Sequence, residues 1–150
     1  MESMFESATV EDMKERLGRL RPGSQRQWGT MTAAQAVAHC SAGMEMAFGE
    51  VRPPRALIGR LLGRIIKPMV LKDGESMRRN SPTSKDLIVA DHRDLDVERE
   101  RLRGLIDRFT AFGPAECTTH PHPFFGKLTP DEWAVLMYKH VDHHLRQFGV

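Results

Sequence analysis

Two histidines one helical turn apart near the carboxyl terminus form the strongest chemical signal in the sequence. His140 and His144 continue an apolar series that begins at Trp133 and recurs every three or four residues. Residues i and i+4 of an α-helix lie on the same face, so both imidazoles can face one divalent metal ion. The alternative is a pair of hydrogen-bonded histidines at the edge of a core.

A third ligand has to come from another helix, and His39 is the candidate. It lies among small residues in TAAQAVAHCSAG, which permit close helix approach and leave space for a ligand. Its neighbour Cys40 projects about 100° away and is interpreted as a small buried side chain. His143 is rotated by about 60° from His140 and is expected to be more exposed. Gln147 follows near the metal-facing side, where it could support a ligand.

A loop before the last helix carries two more histidines in the sequence HPHPFFG. Prolines restrict its backbone, and Phe124 and Phe125 can anchor it. His122 could then act as a general base or as a fourth ligand, and the role of His120 stays open. The alternative is a loop with no chemical role whose phenylalanines cap the helices.

Apolar periodicity and helix start and stop signals divide the chain into helices joined by proline- and glycine-rich loops. The predicted helices cover about residues 10–20, 31–48, 56–71, 94–112 and 130–148. Residues 71–86 are polar and turn-rich, which predicts a long loop. The predicted fold class is therefore all-α, a bundle of four main helices with an additional short basic helix.

Threonines are predicted to begin three of these helices. Thr9 is expected to cap the first helix, and Thr30 or Thr32 the second. The last helix has the clearest start, because Thr129 is followed by proline and by Glu132 at the spacing of a capping box.

Two segments of the sequence carry a resemblance to a known family: Trp28 with the MTAAQAVAHCS that follows, and KHVDHHLRQFG near the carboxyl terminus. They resemble the DinB-like superfamily of metal-binding helical bundles. The longer segment HPFFGKLTPDEWAVLMYKHVDHHLRQFG is similar to a subfamily with no assigned function. The superfamily has one histidine on the second helix and two, four residues apart, on the last helix, followed by a glutamine. The resemblance thus implies that the ligands are His39, His140 and His144, with Gln147 at the glutamine position.

The sequence also departs from the superfamily pattern. Many members have arginine directly after the last histidine, whereas Leu145 stands here and Arg146 follows. The basic helix and the HPHPFFG loop are not general features of the superfamily. Substrates of better-known members therefore do not transfer directly to this chain.

Composition excludes several classes of protein. The 150 residues suit a single domain, 1–150, with no apolar run long enough for a membrane span. Two cysteines, Cys40 and Cys117, cannot form a disulfide framework or a four-cysteine zinc site, and they fit a reducing cytoplasm. A net charge of +2 does not indicate a nucleic-acid partner.

The small net charge conceals a basic segment. Residues 52–79 contain eight Lys and Arg and two acidic residues, so the rest of the chain is acidic. Its helix, about residues 56–70, has apolar side chains on one face and Arg60, Arg64 and Lys67 on the other. We interpret the basic side as the solvated face of a bundle helix, with binding to a membrane surface or to an anionic ligand as alternatives.

Three histidine ligands would leave a coordination position open for water or substrate, which is typical of catalytic metal sites. Such a ligand set admits Zn²⁺, Ni²⁺, Fe²⁺ or Mn²⁺. Several DinB-like relatives are described as thiol transferases, so the resemblance implies transfer of a low-molecular-weight thiol to a small electrophile. Hydrolysis by metal-activated water and a non-catalytic metal-binding or dimerising module, a homodimer included, are the alternatives.

Overall fold

Five α-helices make up most of the computed structural model, which describes residues 2–150. The helices are α1 (Ser7–Arg19), α2 (Ala33–Phe48), α3 (Leu57–Val70), α4 (Leu95–Phe112) and α5 (Pro130–Gln147). Short 3-10 turns lie at Lys85–Leu87 and Gly113–Glu116. Residues 2–150 contain no β-strand, so the predicted all-α class is confirmed. Within this range no helix has the length and apolarity to cross a bilayer.

The hydrophobic core lies between α1, α2, α4 and α5. α2 packs against α4 and α5, and α1 packs against the same two helices. Val10, Met13 and Leu17 form the buried side of α1, and Trp133 and Phe109 are the largest fully buried side chains of the core. Because each fully buried large apolar side chain contributes about 1.5–3 kcal/mol, this packing holds α2 and α5 side by side.

Capping boxes begin the two helices that carry the histidines. Thr32 Oγ1 accepts the N–H of Gln35 at 3.2 Å, and the Gln35 side chain accepts the N–H of Thr32 at 3.0 Å. Thr129 and Glu132 make the same reciprocal pair at the start of α5. The predicted start at Thr129 is confirmed, and of the two threonines proposed for the second helix, Thr30 and Thr32, Thr32 is the cap. Each box satisfies two backbone donors that the helix leaves unpaired.

The predicted start of the first helix is wrong. α1 begins at Ser7, so Thr9 lies in its first turn, and its hydroxyl donates to Glu6 Oε2 at 3.1 Å. Met4 just before the helix is fully buried, and its N–H donates to the carbonyl of Ala134 on α5 at 3.2 Å. Tertiary packing of Met4 therefore sets where α1 begins, and no local capping signal marks the place.

α3 lies outside the core, and its inward face carries glycines instead of the large apolar side chains. Its buried residues are Gly59 and Gly63, and a Cβ at these positions would lie 2.6 Å and 2.0 Å from Phe124 backbone atoms. Because glycine has no side chain, the helix backbone packs directly on the 120–126 loop. The interpretation of α3 as a bundle helix with only its basic side solvated is therefore wrong, since its large apolar side chains are also exposed.

A buried lysine on α5 holds the other end of α3. Lys139 is only 6% exposed, and its ammonium donates to the carbonyls of Val70 at 2.8 Å, of Glu75 at 2.9 Å and of Lys72. These carbonyls lie at and just after the carboxyl end of α3, where the helix dipole favours a cation. Burial lowers the pKa of Lys139, and the three carbonyls replace the water it has lost.

We expect Gly63→Ala to separate α3 from the 120–126 loop, because the new methyl group would overlap the Phe124 carbonyl oxygen. Hydrogen exchange should then show faster exchange of the α3 amides. Gly104→Ala is the matched control, since no atom lies within 4 Å of a Cβ at that position of α4. It should raise the free energy of unfolding by about 0.5–1 kcal/mol in urea titrations. Unchanged protection of α3 in Gly63→Ala would contradict the packing described here.

Candidate metal centre

Three histidines from α2 and α5 converge at one point in the interior. One ring nitrogen each of His39, His140 and His144 lies within 4.8 Å of the other two. Nε2 of His39 is 2.9 Å from Nε2 of His140, and the ring centroids are 4.7–5.1 Å apart. His39 and His144 are buried, and His140 keeps partial exposure. Three nitrogens this close can reach one ion at about 2.0–2.1 Å each after small side-chain shifts.

A backbone carbonyl determines which nitrogen of His39 faces this point. His39 Nδ1 lies 2.7 Å from the carbonyl oxygen of Leu87. That oxygen can only accept a hydrogen bond, so Nδ1 carries the hydrogen and the lone pair is on Nε2. Leu87 belongs to the 3-10 turn that follows the long polar loop. No sequence pattern indicated this partner, because it reaches α2 from 48 residues away.

A chain of two hydrogen bonds orients His144. The carbonyl of Trp28 accepts from the amide nitrogen of Gln147 at 2.7 Å, so the amide oxygen of Gln147 faces His144. This oxygen lies 2.8 Å from His144 Nδ1 and can only accept, so Nδ1 carries the hydrogen. The lone pair of His144 is therefore on Nε2. Partners of this kind orient the metal-binding histidines of proteins.

Gly43 provides the space that His140 occupies. A Cβ at Gly43 would lie 2.8 Å from His140 Nδ1, closer than a Cβ atom comes to another heavy atom without van der Waals overlap. Gly43 is four residues after His39 and thus one turn further along the same face of α2. A small residue one turn from a candidate ligand is the sequence signal that could have revealed this clearance. Because His39 Nε2 holds a lone pair, His140 Nε2 donates to it when no ion lies between them.

Burial lowers the pKa of all three histidines. Loss of water is the largest cause at each of them, and the neighbouring imidazoles contribute further at His140 and His144. The pKa of His144 falls to about 3, while the Leu87 carbonyl partly opposes the shift at His39. Only the neutral imidazole has a lone pair for a metal. All three rings are therefore in the metal-binding form at neutral pH.

The two histidines of the HPHPFFG loop have different surroundings. His120 is exposed, whereas His122 is half-buried. Nδ1 of His122 accepts the backbone N–H groups of Phe124 and Phe125 at 3.1 Å and 3.2 Å, and its ring stacks on Phe125. Burial, with a smaller contribution from nearby Arg55, lowers the pKa of His122 to about 4. His122 therefore closes the turn of the loop as a neutral ring with its hydrogen on Nε2.

The remaining residues of the two motifs pack around the centre or away from it. Cys40 is buried, and burial raises the pKa of its thiol, so it stays protonated as a small core side chain. His143 is half-buried, which makes it more exposed than His144, and its ring lies 5.4 Å from that of Trp28. Asp142 pairs with Arg16 at 2.8 Å, a long-range contact that the sequence analysis missed.

Comparison with known proteins places the chain in a family. Residues 4–149 match the model of a family described as "Protein of unknown function (DUF1569)". No curated protein and no solved structure matches the chain. The matched range contains the three converging histidines, the glutamine and the HPHPFFG loop.

We expect Gln147→Leu to weaken Zn²⁺ binding by about 10–100-fold, because His144 would lose the partner that holds its hydrogen on Nδ1. Competition against a chromophoric chelator measures the affinity. Gln25→Leu is the matched control, since Gln25 is exposed in the loop after α1. Equal affinities of the two variants would show that Gln147 does not orient the ring for binding.

The metal-free protein should lose stability as the medium is acidified from about pH 7.5 to about pH 5.5. The folded-state pKa values lie below the ordinary value of 6.5, so acid protonates the histidines of the unfolded chain first. The contribution of the neutral histidines to stability is present above pH 6.5, the pKa of an unfolded histidine. It is lost as the pH falls below that value toward the folded-state pKa, about 3 for His144. Urea unfolding in chelator at the two pH values tests this, and equal free energies of unfolding would disprove it.

Proposed function

Since the chain belongs to the DUF1569 family, whose description assigns no activity, we propose a function from the three-histidine centre. The protein binds a divalent metal ion through His39, His140 and His144, and it transfers a low-molecular-weight thiol to a small electrophile. The observation that supports the proposal is the fixed orientation of the rings. Leu87 and Gln147 each hold a hydrogen on Nδ1, so lone pairs are left on Nε2 where the rings converge.

The same proposal includes a finer description of the fold. We propose that α1, α2, α4 and α5 form the four-helix bundle of the DinB-like superfamily, with α3 as an addition. The positions of the histidines support this, because one lies on α2 and two lie four residues apart on α5. Gln147 follows them at the glutamine position of the superfamily pattern.

The donor set fits an ion with an open coordination position. An ion held by three neutral imidazoles keeps its double positive charge, and it would acidify a bound thiol at physiological pH. Imidazole ligands suit Zn²⁺, Ni²⁺ or Fe²⁺, and Mn²⁺ is also admissible. In the transfer, the thiol loses its proton to solvent, its sulfur bonds to the electrophilic carbon, and the leaving group departs with the bonding electrons.

Thiol transfer is preferred to hydrolysis because of what surrounds the centre. Hydrolysis of an amide or ester also needs a group that carries a proton from the metal-bound water to the leaving group, and among the described residues no Asp or Glu joins the three-histidine group. His122 is a poor base at Nδ1, since this nitrogen already accepts two backbone N–H groups. We propose that His122 shapes the loop beside the centre and offers its Nε2–H as a donor.

Metal content is the first test of this function. Protein purified without a histidine tag should contain about one equivalent of a transition metal by elemental analysis, and His39→Ala and His140→Ala should each remove most of it. His92→Ala is the matched control, because His92 is exposed and lies outside the centre. A wild-type protein without stoichiometric metal would disprove the proposal.

Activity is the second test, because a bound metal alone does not make an enzyme. The metal-loaded protein should catalyse substitution of the chlorine of chlorodinitrobenzene by cysteine-derived thiols, with release of chloride, and His140→Ala should lower kcat/KM at least a hundredfold, about 2.7 kcal/mol. Ester or amide hydrolysis without thiol transfer would instead identify a hydrolase. Unfolding on chelation with neither activity would identify a structural metal site.

A further inference from the structure

The outer face of α3 is a continuous apolar stripe. Six large aliphatic side chains there are between 43% and 78% exposed, namely Leu57, Ile58, Leu61, Leu62, Ile65 and Met69. At about 100° per residue they fall within an arc of about 140°. A contiguous apolar surface of this kind marks a place of interaction on a water-soluble protein.

The protein holds this stripe outward at both ends of the helix. Gly59 and Gly63 pack on the Phe124 backbone with no room for a side chain, so a rotated α3 would bring larger residues into that contact. At the carboxyl end, Lys139 binds the Val70 carbonyl and those of the following loop. The exposure of the stripe is therefore built into the fold.

Basic side chains border the stripe along one side. Arg60 and Arg64 are both exposed, and neither has an ion-pair partner among the residues that the structure describes. Lys67 on the same side is paired with Glu132 at 2.7 Å. Residues 51–72 contain six basic residues and no acidic residue, so this surface attracts anions.

We propose that α3 docks the protein on a lipid surface that contains anionic phospholipids. The apolar stripe enters the boundary between headgroups and acyl chains, and Arg60 and Arg64 contact headgroup phosphates. An amphipathic helix with aliphatic residues on one face and arginines beside it binds membranes in this way.

The charges favour a lipid surface over a second copy of the chain. α3 carries no acidic residue, so pairing two copies through the stripe would supply no carboxylate from the facing helix to Arg60 or Arg64. In an antiparallel two-fold pair, the arginine-bearing sides would also face each other. The stripe is also convex. A protein partner would need a groove of matching shape to cover it, whereas a fluid lipid surface adapts to it.

Vesicle flotation of the full chain tests the proposal. The protein should float with vesicles of two parts phosphatidylcholine to one part phosphatidylglycerol, should bind pure phosphatidylcholine at least tenfold more weakly, and should be released by about 0.5 M salt. Arg60→Gln with Arg64→Gln should weaken binding roughly thirtyfold. Leu61→Ser with Ile65→Ser should weaken it more than tenfold, because the buried aliphatic area is lost.

Val97→Ser with Phe112→Ser is the matched control, since these α4 residues are 65% and 61% exposed but lie outside the stripe. This variant should bind anionic vesicles as tightly as the wild type does. The melting temperatures of all the variants should stay close to that of the wild type. Absence of vesicle binding by the wild type would overturn the proposal. A stable dimer in sedimentation equilibrium that Leu61→Ser with Ile65→Ser dissociates, without vesicle binding, would assign the stripe to a second copy instead.

Discussion

Burying three imidazoles at one point is the constraint on which the rest of the structure depends. A buried imidazole must keep one nitrogen hydrogen-bonded, and three rings that converge without a carboxylate cannot all be protonated. The fold meets the first requirement with acceptors from distant segments, the Leu87 carbonyl for His39 and the Gln147 side chain for His144. What remains at the centre is a set of lone pairs and one donated hydrogen, an arrangement suited to a cation.

α5 makes several kinds of contact because the 3.6-residue period of the helix places different residue types on different sides. Trp133 and the apolar residues that follow it hold the helix in the core, and His140 and His144 continue that face toward α2. Lys139 and Asp142 lie on other sides of the helix, and both are buried. The charge of Lys139 is satisfied by carbonyls at and after the end of α3, and that of Asp142 by Arg16 of α1 together with Arg146. The segment of α5 that carries the histidine motif is thus also the place where α1 and α3 attach.

The HPHPFFG loop lies between α5 and α3. His122 closes the turn of this loop with its ring 5.6 Å from that of Trp133 on α5, and the Phe124 backbone next to it receives the glycine face of α3. The same glycines that fasten the helix leave its aliphatic side chains in solvent. The contact of Gly59 and Gly63 with the Phe124 backbone therefore both attaches α3 and leaves its apolar stripe exposed.

Local signals in the sequence were enough to predict the all-α class, the capping box at Thr129, and the position of His140 and His144 on one face of α5. These follow from periodicity and capping, which depend on neighbours within a few residues. The prediction of His39 as their partner depended in addition on the resemblance to the DinB-like superfamily, and the structure brings its ring to the α5 pair. Only the tertiary structure decided the rest. The Leu87 carbonyl and the start of α1 depend on contacts between segments far apart in the chain. The orientation of α3 could not be derived from its amphipathic pattern, because that pattern shows which side is apolar and not which side the neighbouring backbone will cover.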